Sequence, residues 1–252
     1  MGTVAKALCL LDCFSASRPQ IGLSDFARLS GNDKATTRRL LVSLLEAGFV
    51  EQAAESRAYR LGPAVLRLAR VREAHLPIEA VVRPVLAALA ESTGETAHFS
   101  LVSGSALATI AFAESSRANR VRLEQGELIP FHATASGVAY LAFAPRAAER
   151  ILLQELPRYT NDTVVDAEAL RRRLDKARRD GFAVSRNGYE DGVFGLAAPV
   201  FDKDGTATGA IAVAAPTVRV NKLAEASIRQ AVARAADEIS VGLGAPRARS
   251  AA

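Results

Sequence analysis

Between Leu23 and Leu61 the spacing of apolar residues changes at one point, Gly48, and that change restricts the possible folds more than any other feature of the chain. Ahead of it the three- and four-residue spacing of helices prevails. A short helix over 25–30 has Ser24 as its cap and Gly31 as its stop, and a longer one over 34–47 has Asn32 and Asp33 as caps. Past Gly48, FVEQ and AYRL flank the polar AAESR, the pattern of a small β-hairpin. An earlier helix places Val4, Ala7, Leu8, Leu11 and Phe14 on one stripe and ends at SASRPQ. Three helices followed by a hairpin is the order of a winged helix-turn-helix, expected over residues 1–62.

The third of these helices opens with KATTRRLL, residues 34–41, polar and doubly basic before it runs into leucine. On a wheel of ~100° per residue centred on Leu41, with Leu44 and Leu45 flanking it, Arg39 lies about 160° away and Thr36 about 140° away on the other side. Those two face outward. Thr37, about 40° from Leu41, faces inward; Arg38, at about 60°, sits on the boundary, where a long side chain can still swing to a phosphate. In helix-turn-helix docking this end of the helix enters the major groove. Arg matches guanine O6 and N7, Thr suits base edges, and Lys34 and Arg38 suit phosphates. Arg57 and Arg60 on the hairpin stand where a wing meets backbone or minor groove, although each alone reads as a solvated arginine. The candidate DNA-contacting set is thus Ser24, Lys34, Thr36, Thr37, Arg38, Arg39, Arg57 and Arg60, with Thr37 mostly structural.

Charge agrees in direction. The net charge is +5, and residues 1–75 hold 11 Lys+Arg against 7 Asp+Glu, whereas residues 76–252 hold 21 against 20. The small excess of the N-terminal part suits a polyanion partner and equally suits a solvated face. Apolar residues make up 49% and charged residues 23%, a globular balance, and the longest apolar runs fall short of the ~20 residues of a membrane helix. The N-terminus lacks a basic region ahead of an uninterrupted apolar core, so a soluble, cytoplasmic protein with no membrane partner is expected. Cys9 and Cys13 share a helix face, but no histidine lies near them in sequence and a metal site needs more ligands, so neither metal nor cofactor is expected.

PAVLRLARVREAH, followed by Leu76-Pro77, is expected as a linker helix within 63–77. A second domain over 78–245 and a flexible tail over 246–252 complete the chain. Within the domain a helix over 78–93 is stopped by Gly94, and β-like runs fall near 96–102, 107–113 and 120–124. Helical patterns follow at 135–143, 147–154 and 167–180, then strands near Ala183, 195–201 and 207–214, the last two joined by the turn-like FDKDGTATG. A final helix over 221–241 places Leu223, Ile228, Val232, Ala235 and Ile239 on one face. The expected class is α+β, with one antiparallel sheet flanked by helices in a sensor-like domain.

Collinear motifs along nearly the whole chain carry a resemblance: VAKALCLLDCF, LSDFARLSG with ATTRRLLVSLLEAGFVE, YRLG, LAESTGETAHFS, PFHATASGVAYLAF, DGFAVS, GLAAPVFDKDG and AVAAP. In these the chain resembles the IclR family of bacterial transcriptional regulators. The resemblance implies an N-terminal winged helix, a linker helix and a GAF-like C-terminal effector domain, acting as a homodimer or dimer of dimers on double-stranded operator DNA. It also implies a pocket for a small-molecule effector, an organic acid or aromatic compound, at the helix after HATASG. Carried across, that pocket includes Ala135 and Ser136, whose N–H groups at a helix start suit a carboxylate in their own right. Ser185, Arg186, Gly195, Ala212 and Ala214 are implied beside them.

Where relatives often carry an acid this chain has Arg186, and where serines often line the late strand it has Ala212 and Ala214. Arg186 either pairs with an effector carboxylate while Phe194, Ala212 and Ala214 surround an apolar body, or points to solvent. His98 and His132 can hydrogen-bond a ligand, though a satisfied structural histidine is the plainer reading of each. Ser136, His132 and a distant Asp can be assembled into a triad, but no GxSxG elbow, phosphate loop or dinucleotide fingerprint is present. A regulator rather than an enzyme is therefore expected, the alternatives being a hydrolase-like enzyme and a module whose helical domain binds another protein.

Overall fold

The computed structural model describes residues 2–246, so the expected tail lies, apart from Pro246, outside the described residues. The chain forms two compact units that divide after Pro77. In the first, helices α1 (Thr3–Leu11), α2 (Leu23–Ser30) and α3 (Lys34–Glu46) precede a hairpin of β1 (Val50–Gln52) and β2 (Tyr59–Leu61), and α4 (Pro63–His75) follows. The wing register pairs Val50 with Leu61 and Gln52 with Tyr59, and Ile21 bridges to Tyr59 from the far side. Phe26, Leu10, Leu41 and Val50 form the core, with Phe14 and Tyr59 meeting Phe26 edge-on.

Local signals explain these elements and correct three expectations. Gly31 and Gly48 take φ of 66° and 72°, the left-handed turn that ends a helix and that side-chain-bearing residues resist. Asp33 caps α3 by accepting from Thr36 N–H at 2.8 Å, and these hydrogen bonds hold its carboxyl below the usual range. Ser24, however, is not a cap: α2 begins at Leu23 with Gly22 as cap residue and no side-chain bond. On α1, Val4 and Leu8 are 74% and 50% exposed while Leu10 is fully buried. VAKALCLL is apolar on most sides, so period alone does not select its buried face. On α3 the buried face is Thr37, Leu40, Leu41 and Leu44, and Leu45 is exposed, a rotation of the core side away from the one expected.

The second unit holds a six-stranded antiparallel sheet in the order β5-β4-β3-β8-β7-β6. Its strands are β3 (Thr96–Ser103), β4 (Ala106–Ala113), β5 (Leu128–Pro130), β6 (Ala183–Arg186), β7 (Val193–Phe201) and β8 (Ala207–Pro216). Phe99, Leu196, Val200, Ile211 and Val213 on one face pack against α5 (Ile78–Thr93) and α9 (Lys222–Gly242). The other face, with Leu107, Ala197, Ala210 and Ala212, is covered by α6 (Ala135–Ala142) and α8 (Ala167–Asp180), and α7 (Pro145–Leu152) packs on both helices. Small residues on that face let α6 lie close to the sheet.

Two expectations fail here. Residues 120–124 are not a strand. They form an extended strap held by Thr96 Oγ1, which donates to Val121 O at 2.9 Å, and the edge strand is β5, pairing with Ala106–Ala108. Leu223 is 83% exposed, and the buried face of α9 starts at Ile228. Among the described residues no helix is long and apolar enough to cross a membrane.

Candidate functional site

The first turns of α3 present Lys34, Arg38 and Arg39 exposed and Thr36 half-buried. Thr37 is fully buried, with its hydroxyl donating to Asp33 O at 2.8 Å, so it locks the helix start and is not available to a partner. Ser24 is exposed on α2. Arg57, at the hairpin tip, takes φ of 56°, and Gln52 Nε2 donates to its carbonyl at 2.8 Å. Arg60 pairs with Glu51 at 2.8 Å, an exposed pair that costs little to exchange for a phosphate.

On the sheet face covered by α6 and α8 a cavity of ≈ 90 Å³ opens at the start of α6. Its wall is Ala133–Ser136 and its floor comes from His98 on β3, Ala212 and Ala214 on β8, Gly195 on β7 and Ser185 on β6. Cross-strand pairing brings these together, since His98 faces Ala212 while Gly195 faces both Ser185 and Ala214. Thr134 caps α6: its hydroxyl accepts from Gly137 N–H at 3.0 Å and donates to Pro130 O at 2.8 Å. The N–H groups of Ala135 and Ser136 remain at a helix start that favours an anion. Ser185 Oγ is spent on Ala133 O at 3.0 Å, and His98 Nε2 meets Ser136 Oγ at 3.2 Å.

Three expected contacts are elsewhere. Successive strand residues point to opposite faces, so with Ser185 and Gly195 in the cavity their neighbours Arg186 and Phe194 cannot be. Phe194 is fully buried in the core under α5 and α9. Arg186 lies over the Phe194 ring, 4.6 Å from its centroid, and pairs with Glu225 of α9. His132 is buried beside Tyr159, its Nε2 on Pro157 O at 2.9 Å, as a satisfied structural histidine. Strand parity was the signal that separates Arg186 and Phe194 from the cavity. The strap contributes Val121, Arg122, Leu123 and Glu127, and the loop after β6 contributes Tyr189 and Glu190; none of these was expected. Burial pushes the Glu127 carboxyl up, and the Tyr189 hydroxyl, buried beside it, is pushed up to about 12.

Burial pushes His98 down to about 4, so its imidazole is neutral at physiological pH. An unfolded histidine titrates near 6.5, so the unfolded state takes up this proton first as pH falls. Stability is whole above that value and is lost between pH 6.5 and 4. From pH 7 to pH 5 the loss is about 2 kcal/mol, or roughly 4–8 °C in the unfolding temperature. Glu127 acts in the opposite sense, so calorimetry should compare slopes: His98→Phe is expected to flatten the decline, and an unchanged slope would deny His98 this role.

The comparisons with known proteins agree with this geometry. Residues 3–54 match the IclR helix-turn-helix domain and residues 73–241 match the bacterial transcriptional regulator IclR C-terminal domain. The HTH-type transcriptional regulator BhcR of Paracoccus denitrificans is 32% identical over 244 residues, covering 96% of this chain and 87% of its own length. A crystal structure of an IclR transcriptional regulator from Silicibacter sp. TM1040 superposes with a TM-score of 0.89 at 45% identity, covering 98% of each chain. An IclR homologue from Microbacterium hydrocarbonoxydans, crystallised with 4-hydroxybenzoate, has the same fold at 24% identity, TM-score 0.76, over 96% of this chain and 99% of that one. The chain therefore belongs to the IclR family of bacterial transcriptional regulators, with a helix-turn-helix DNA-binding domain ahead of a C-terminal effector domain.

Proposed function

We propose that this regulator senses a small organic acid in the cavity at the start of α6 and binds operator DNA through the exposed start of α3. The observation that carries the effector reading is the cavity itself, in which uncommitted helix-start N–H groups meet a floor of Gly195, Ala212 and Ala214. Arg122, exposed on the strap and lining the same cavity, takes the carboxylate role first given to Arg186. A cavity of ≈ 90 Å³ is smaller than the roughly 150 Å³ that houses benzene, which favours a short aliphatic acid. An aromatic acid such as the one in the Microbacterium homologue requires the strap to move. The acid acts by binding unequally to two arrangements of the protein.

On DNA, Arg39 and Thr36 read base edges while Lys34 and Arg38 hold phosphates; Arg57 and Arg60 lie along the backbone. Apolar residues exposed on α1 (Val4, Leu8) and on α4 (Leu66, Val71) offer surface that a second copy can cover, in keeping with a homodimer or dimer of dimers on a palindrome. α4 serves as the linker within 63–77. No chemistry is assigned to the cavity, whose relatives bear the names of regulators.

Titration against specific and random duplexes over a salt series tests the division of labour. Lys34→Ala should weaken binding on both duplexes alike and lower the slope of log K against log salt by about 1, whereas Arg39→Ala should lose about 1–3 kcal/mol on the specific duplex only. Equal losses on both duplexes for both variants would contradict the assignment, and affinity indifferent to salt would favour a protein partner instead.

A further inference from the structure

The observed burial turns the outward side of α3 away from where its leucines alone would put it. Thr37, Leu40, Leu41 and Leu44 are buried, and at ~100° per residue the direction opposite their mean falls close to Ala35 and Glu46. Arg39 and Val42 lie about 30° to either side of that direction, Arg38 and Ser43 about 70°, and Thr36 and Lys34 about 90° or more. The most outward stripe is therefore Ala35, Arg39, Val42 and Glu46, all of them exposed. Ser43 adds no polar reader beside it, since its hydroxyl donates to Arg39 O at 3.3 Å. Val42 is 42% exposed, one turn beyond two arginines. Neither core packing nor helix propensity accounts for a β-branched apolar side chain at that place.

We infer that Val42 is a specificity-determining residue for DNA, its methyl groups meeting the C5-methyl of a thymine in the major groove. The inference rests on α3 being the base-reading helix and adds which base it requires. Thymine is the base that carries an apolar group on its major-groove edge. Val42 stands three residues beyond Arg39, roughly 4.5 Å along the helix axis, against about 3.4 Å per base pair. The thymine therefore lies within about two base pairs of the guanine that Arg39 reads. Ala35, small and on the same stripe, lets the start of the helix sit close to the base edges. Glu46 bounds the reading surface: phosphates repel its carboxylate, so base contact ends in the turn that holds Val42.

Duplex enriched from a random-sequence pool by the full-length protein supplies the probe. Each thymine in it is replaced in turn by deoxyuridine, which pairs as thymine does but lacks the methyl group. At about one position per half-site the affinity should fall roughly fourfold, the effect of one buried methyl. That position should lie within about two base pairs of the guanine at which Arg39→Ala relaxes the preference. Val42→Ala should bind the enriched duplex about fourfold less tightly, leave random duplex unchanged, and no longer distinguish thymine from deoxyuridine there. Val42→Thr, which keeps the branch and one methyl, should keep part of the distinction. On an exposed helix face neither change should move the unfolding temperature by more than about 2 °C. The proposal is overturned if no deoxyuridine matters, if the loss persists undiminished in Val42→Ala, or if that variant weakens random and enriched duplex alike. In those cases an Arg39→Ala variant that still relaxes the preference at a guanine leaves α3 as the reading helix. If neither variant alters sequence preference, the reading of α3 fails as well.

Discussion

Gly137→Ala is expected to lower the unfolding temperature of the C-terminal domain by roughly 10 °C and to abolish its response to effector. A Cβ at this position would stand 2.2 Å from Phe131 O and 2.3 Å from Phe131 Cα, backbone atoms that no rotamer change can move aside. Nor is the Phe131–Thr134 segment free to retreat. Phe131 is buried and stacks on Tyr140 at 5.3 Å, Thr134 is tied to Pro130, and Ser185 holds Ala133. The methyl group must push α6 off the segment that caps it, at a cost on the order of 3 kcal/mol, which for a domain of this size amounts to that fall in temperature. The same displacement opens the anion-binding turn. Differential scanning calorimetry checks the first effect and ligand titration the second. A shift below about 2 °C would mean that the approach of segment to helix is not as close as described.

The second large effect is expected at Glu95, whose side chain is 5% exposed. Its carboxylate receives Arg219 bidentately at 2.8 and 2.6 Å and Arg117 at 2.7 Å, and Arg219 also donates to Asn119 O at 2.6 Å. Arg219→Ala removes the fork and leaves a buried carboxylate with one half-exposed partner, a loss of roughly 2–3 kcal/mol after allowing for solvent at the arginines. Glu95→Leu combined with Arg219→Met should restore much of that loss, since apolar residues of similar volume do not carry the desolvation cost of an ion pair. The chain from Glu114 to Glu127 runs from this cluster to the cavity, where it supplies Val121 and Arg122. Hydrogen exchange in that strap should accelerate in Arg219→Ala and recover in the double variant. Additive destabilisation by the two changes would show that the charges act independently.

The winged helix was legible because its signals are local: Asp33 as cap, glycines with positive φ at 31 and 48, and alternation on either side of the hairpin tip. The positions of strands β3, β4, β7 and β8 were legible from the same kind of pattern. What period cannot give is which side of the mostly apolar α1 meets the core, hence the errors at Val4 and Leu8, nor whether a leucine next to a helix end reaches the core, hence those at Leu45 and Leu223. The segment near 120–124 alternates like a strand yet finds no neighbour to pair with, because pairing is decided by tertiary position. At the cavity, Ala135, Ser136, Gly195 and Ala212 fell together as implied by the motifs, and His98 joined them. Arg186 and Phe194 were misplaced by one residue of strand parity. The strap residues were hidden because they reach the cavity from a segment with no regular structure to announce them.

A ligand in the α6 cavity is expected to change the affinity of the protein for DNA. Fluorescence anisotropy with duplex from upstream of the protein's own gene, in the presence and absence of a saturating short aliphatic acid, measures that coupling. The acid should change the Kd of the unaltered regulator by at least about fivefold, and Ala214→Leu, with its cavity filled, should lose that dependence. An Ala214→Leu protein that responds to the acid as fully as the unaltered one would contradict the account.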